Sequence, residues 1–85
     1  MDDTTYRILE VLSRMLNSPT SIHELTRKIA EMYGGAYYAN IHEKIQNLTL
    51  DNIVTLSKSG RSSVISLNFE NYLLIDLLAE MELMR

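Results

Sequence analysis

Apolar residues in the first part of the chain recur at helical spacing. Between Thr4 and Leu16, the positions Ile8, Leu9, Leu12, Met15 and Leu16 fall at i, i+1, i+4, i+7 and i+8, one face of an amphipathic helix. Asp2, Asp3 and Thr4 supply capping oxygens and negative charge at its start. Asn17-Ser18-Pro19 stops it, because the residue before a proline is pushed out of the helical region. Ser21-Ile22-His23-Glu24 then has the spacing of a capping box, and Ile22, Leu25, Ile29 and Met32 carry the stripe of a second helix. Arg27, Lys28 and Glu31 face outward, and Gly34-Gly35 closes the helix, since glycine accepts the left-handed conformation.

A third helix is predicted from Ala36 to Leu50, with Ile41, Ile45 and Leu48 as its buried edge and Tyr37 or Tyr38 joining one turn earlier. Its opposite edge carries Ala36, Ala39, Asn40, Glu43, Gln46 and Asn47, and Asp51-Asn52 ends it with turn-forming side chains. The period then changes to two. Ile53 to Ser57 and Ser62 to Leu67 read as antiparallel strands, with Lys58-Ser59-Gly60-Arg61 as the hairpin tip. Asn68 is the expected cap of a last helix from Phe69 to Arg85, which is apolar over more of its circumference than one small core uses. The fold class is therefore mainly α with a small β-hairpin.

Composition narrows the chemistry. Eighty-five residues make one small domain, which buries about 60–65% of the surface its unfolded chain exposes. The longest apolar run, Tyr72 to Ile75, is far below the ~20 residues of a membrane span, so no membrane association is expected. The N-terminus has no basic patch followed by an apolar stretch, and the absence of cysteine removes disulfides and thiolate metal sites, so a cytoplasmic location is expected. His23 and His42 lie on different helices without a carboxylate at ligand spacing, which predicts no metal. No nucleophile–base pair, phosphate-cradling glycine loop or isolated carboxylate dyad is visible. Neither catalysis nor a cofactor is expected.

Three helices followed by a hairpin, with a polar outer edge on the third, is the plan of a winged helix. Ser21 to Ile29 resembles the second helix of winged helix-turn-helix regulators, Ile41-x-x-x-Ile45-x-x-Leu48 resembles their recognition helix, and Asn52-Ile53-Val54, Ser59-Gly60-Arg61 and Ile65-Ser66-Leu67-Asn68 resemble the borders and tip of their wing. The resemblance runs from Thr4 to Leu78 and is to the small MarR-like or ArsR-like domains common in prokaryotes, archaea especially. Two departures stand out: Asn52 replaces a usual glycine, and the Met32 to Tyr38 link is glycine- and aromatic-rich.

The resemblance implies a three-helix core, a two-stranded wing over 53–67 and a long C-terminal helix, with double-stranded DNA as partner and regulation of transcription as function. It implies that the helix over 36–50 enters the major groove, where Asn40, Gln46 and Asn47 have amides suited to adenine edges and Lys44 suits a phosphate or guanine. Tyr37 and Tyr38 offer hydroxyls to the backbone, and Lys58 and Arg61 at the wing tip suit the backbone or a narrow minor groove. Solvated helix faces and charged hairpin tips also occur without DNA. The net charge of −3 and Glu43 oppose the DNA reading, since phosphate neutralisation supplies most sequence-independent affinity.

Residues 1–67 form the expected winged domain and 68–85 a dimerisation element. Phe69, Leu73, Leu77, Met81 and Met84 line one side of the last helix, and a homodimer through it would shield them. The alternatives are a winged helix used for protein–protein interaction, or the N-terminal domain of a larger protein.

Overall fold

The computed structural model describes residues 1–84 and has the order α1 (Asp3–Arg14), α2 (Ile22–Tyr33), α3 (Tyr38–Leu50), β1 (Val54–Ser59), β2 (Ser62–Leu67) and α4 (Tyr72–Met84). This is the winged-helix arrangement, with the hairpin as its wing.

Each early helix starts where a side-chain oxygen can take an orphan backbone donor. Asp2 Oδ1 accepts the Thr5 N–H at 2.7 Å and begins α1; Ser21 Oγ accepts the Glu24 N–H at 3.1 Å and begins α2. The reciprocal half of the expected box is missing, because the Glu24 carboxylate turns to Arg27 instead. At the other end Gly34 takes φ +88, and its N–H closes on the Ala30 carbonyl at 2.9 Å.

Three boundary expectations and one of burial are corrected. α1 ends at Arg14, because turns from Met15 N–H to Leu12 O and from Ser18 N–H to Met15 O tighten the exit, and Leu16 leaves the stripe for solvent. On α2, Met32 is exposed, since half-buried Tyr33 lies nearer the middle of the Ile22–Leu25–Ile29 face. α3 begins at Tyr38, not Ala36; Ala36 packs on the core, while the extended backbone at Tyr37 turns both tyrosines outward. α4 begins at Tyr72, because Asn71 Oδ1 accepts the Leu73 N–H at 2.9 Å, whereas Asn68 is engaged in a preceding turn with Glu70.

The strands pair from Val54↔Leu67 to Ser59↔Ser62. The turn is therefore only Gly60-Arg61, with Gly60 at φ +65 as the first residue of a two-residue hairpin turn requires, and Lys58 lies within the strand rather than at the tip. Asn52 takes φ +57, the conformation for which the usual glycine is replaced. Its carbonyl accepts side-chain amides from Asn68 at 2.8 Å and Asn71 at 3.0 Å, which ties the two ends of the hairpin together. The Ile65 N–H also bonds the Thr20 carbonyl at 2.8 Å, fastening β2 to the segment before α2.

One apolar core joins these parts. Ile8, Leu9, Leu25, Ile29 and Ile45 are sealed from solvent, and α4 adds Leu74 and Met81 at 0% and 1% exposure. Met81 is thus buried within its own chain and is withdrawn from the expected dimer surface. Leu77 is half-buried, while Phe69, Leu73 and Met84 remain exposed. No helix among the described residues is long and apolar enough to cross a membrane.

This division gives a direct test. Leu74→Ala should lower unfolding free energy by about 2–5 kcal/mol, as expected for emptying a sealed site. Leu83→Ala, at a position 88% exposed, should change it by less than about 0.5 kcal/mol. Urea unfolding of the two variants measures the difference, and similar losses would contradict this seating of α4.

Candidate nucleic-acid interface

The outward surface of α3 is two flanks rather than a single amide face. Ile41, Ile45 and Leu48 hold one side of the helix in the core, so residues at i, i+4 and i+8 beside that stripe fall on opposite margins. Tyr38, His42 and Gln46 form the margin towards α2 and the wing. Asn40, Lys44 and Asn47 form the margin towards the start of α1.

On the wing side, the His23 ring from the first turn of α2 stacks on Tyr38 with centroids 4.2 Å apart and planes 17° from parallel. His42 meets the same tyrosine at 5.7 Å, tilted by 36°. These rings, Gln46 and Arg61 of the turn line one cleft of about 280 Å³, with Ser62 and Ser63 of β2 on its wall. Lys58 pairs across the ribbon with Ser63, so the two side chains share a ribbon face.

On the α1 side, Asn40, Lys44 and Asn47 line a shallower cleft of about 240 Å³ with Thr4 and Glu43. Lys44 is not free there, since its Nζ lies 2.7 Å from Asp2 Oδ2. The hydrogen bond from Lys44, reinforced by the Thr5 N–H, pulls the Asp2 carboxyl down from 3.8 to about 2. Tyr37 is 78% exposed and borders a third depression with Arg7 and Asn40. Of the seven residues proposed from sequence, the structure gathers Gln46 and Arg61, sets Lys58 on the adjoining ribbon face, and leaves Tyr37, Asn40, Lys44 and Asn47 on the far side of α3.

Positive charge is distributed unevenly. Arg14 pairs with Glu10, Arg27 with Glu24 and Glu31, Lys28 with Glu31, and Lys44 with Asp2. Arg7 sits 4.9 Å over the Tyr33 ring. Burial, followed by the Glu10 charge, raises the Tyr33 hydroxyl above its ordinary range. Among the described residues, Lys58 and Arg61 are the basic side chains outside any ion pair or ring contact, and both belong to the hairpin.

Sequence reasoning overlooked His23 and His42 as partners of this cleft, having weighed them only as metal ligands. Part of the signal was present: Tyr38, His42 and Gln46 repeat every four residues along one helix. The contribution of His23 depends on how α2 crosses α3, which no local spacing reveals.

The sequence matches no protein-family model and none of the curated proteins. Its fold does match solved structures. The winged-helix DNA-binding protein from STIV superposes with a TM-score of 0.76 at 21% identity, covering 94% of this chain and 87% of that one. RosR of H. salinarum gives 0.74 at 20% identity over 93% of this chain and 72% of that one. MepR, a transcription regulator of the Staphylococcus aureus multidrug efflux pump MepA, gives 0.78 at 10% identity, with 99% of this chain and 60% of that one covered. At these identities the likeness is one of fold.

The Asp2–Lys44 pair is directly measurable. The depressed folded-state value means that Asp2 contributes stability above its unfolded value of 3.8, and that this contribution disappears as pH falls through about 2. Carboxyl NMR should show Asp2 titrating near 2, and Lys44→Met should move the midpoint towards 3.8. An unchanged midpoint would mean that Lys44 does not hold this carboxylate.

Proposed function

We propose that this chain is a DNA-binding transcription regulator that presents the wing-side margin of α3 to a major groove and the Gly60-Arg61 turn to the adjoining backbone or minor groove. The observation that carries this reading is the shared cleft of Gln46 and Arg61, one residue suited to a base edge and one to a phosphate or narrow groove. The two unpaired basic residues of the hairpin support the same orientation. So do the similar structures described as DNA-binding or as regulators of transcription. In this reading Asn40, Lys44 and Asn47 engage only a duplex that reaches across α3, and Lys44 does so by exchanging Asp2 for a phosphate. Tyr37 then stands at the margin, near the backbone.

The reading includes a cytoplasmic homodimer joined through α4, in which exposed Phe69, Leu73 and Met84 and half-buried Leu77 meet their counterparts. Two copies double the phosphate contacts of a weakly charged protomer and allow two half-sites to be read. Glu43, together with the net charge of −3, favours a second reading in which the same surface binds a protein.

Duplex binding followed against salt separates them. The DNA reading predicts that log affinity falls linearly with log salt, and that replacing Lys58 and Arg61 by Gln lowers the slope by about 2 per protomer and the affinity by ~10-fold or more. Arg27→Gln, which removes a side chain already held by two carboxylates, should change affinity less than about threefold. A salt-independent signal indifferent to the hairpin variants would favour the protein-binding reading.

A further inference from the structure

The cleft between α2, α3 and the wing turn contains more titratable chemistry than DNA docking by Gln46 and Arg61 requires. From α2 it receives His23, from α3 Tyr38 and His42, and from the hairpin Arg61. No carboxylate of the described residues lines it. Glu24, beside His23 in sequence, is engaged by Arg27, and Glu43, beside His42, lines the opposite cleft with Lys44 and Asn47. Lys58 adds a further positive charge on the ribbon face shared with Ser63.

We propose that this cleft is a seat for a backbone phosphodiester, charged by protons that His23 and His42 take up when DNA binds. The proposal rests on the DNA-binding reading and adds a regulator to it: the chain holds a duplex more tightly as pH falls.

The physical reason is the company these imidazoles keep. Histidine is the side chain whose charge ordinarily changes near neutral pH. The two imidazoles share the lining of the cleft with the Arg61 guanidinium, and no anion of the described residues lines it. A phosphodiester supplies that anion. Its negative charge favours the protonated imidazole over the neutral one, so binding and protonation assist each other. The Tyr38 ring keeps both histidines on one site, and the face of an aromatic ring favours a cation over a neutral group. Ser62 and Ser63 also line the cleft, and a serine hydroxyl is the kind of neutral donor that commonly completes phosphate contacts.

Linkage fixes the sign. If the complex carries more protons than its separated parts, affinity rises as pH falls, with a limiting tenfold change per pH unit for each proton taken up. Anisotropy of a labelled duplex at constant ionic strength should show at least ~10-fold tightening between about pH 8 and about pH 6. The His23→Gln/His42→Gln variant, whatever its affinity at the upper pH, should lose most of the tightening between its own affinities at the two pH values. In parallel, NMR of the imidazole C–H protons should show both midpoints moving to higher pH when duplex is added, whereas inorganic phosphate at matched ionic strength moves them little.

A flat pH profile in the parent, or an unchanged profile in the double variant, overturns the proton-charged seat while leaving DNA binding intact. Shifts as large with inorganic phosphate as with duplex overturn the backbone as the source of the anion. No duplex binding at any pH overturns the DNA reading as well.

Discussion

One backbone hydrogen bond governs the geometry of the candidate interface: the Ile65 N–H to the Thr20 carbonyl, 2.8 Å across a single bridge. A two-stranded ribbon is marginal by itself and needs a third partner to hold its direction. Here that partner is the last residue before the cap of α2. Because Thr20 is buried and lies immediately before Ser21, the bond places the hairpin beside the first turn of α2, where His23 stands. Burial of Ile65 and Val54 against the helices adds the apolar part of the attachment. At the base of the ribbon, the amides of Asn68 and Asn71 converge on the Asn52 carbonyl and hold the left-handed turn. The wing is thus fixed at its base and along its inner strand, while Gly60 and Arg61 extend into solvent.

Much of this architecture was legible because each local signal agreed with the tertiary packing. Asp2 and Ser21 were readable caps, Gly34 a readable stop, and the Ile41–Ile45–Leu48 edge a readable core face. The failures occur where several local signals competed. Asn68 and Asn71 are both competent caps three residues apart, and both donate amides to the Asn52 carbonyl, so local sequence does not choose between them. Tyr37 and Tyr38 had the right spacing for the core, but Ala36 fills that position with a smaller side chain. Treating the polar residues of α3 as one face ignored the width of a helix: Asn40 and Gln46 lie on different sides of its outward midline. Met81 looked like surplus apolar surface because sequence does not reveal how far α4 folds back onto the domain.

The distribution of charge is as informative as its sum. A net charge of −3 describes a weak average field, yet Arg14, Arg27, Lys28 and Lys44 on α1, α2 and α3 each have a carboxylate beside them. Pairs of this kind contribute little to stability, about 0–1 kcal/mol each when exposed. Their larger effect is to neutralise most cations of the helices and leave Lys58 and Arg61, among the described residues, as the basic side chains with neither an ion pair nor a ring contact. A charge count alone would therefore understate how localised the electrostatics of this molecule are.

The strand register has a consequence for how such a hairpin can change. Ser59 pairs with Ser62 across a two-residue turn, so ribbon length and side-chain direction are coupled. One residue inserted into a single strand would shift its alternation and present the wrong side chains to the domain. Adding two residues to each strand would preserve the alternation and extend the reach of the turn by roughly 7 Å. Variation in this appendage is thus quantised: a longer finger is accessible in matched increments, while intermediate lengths require a bulge.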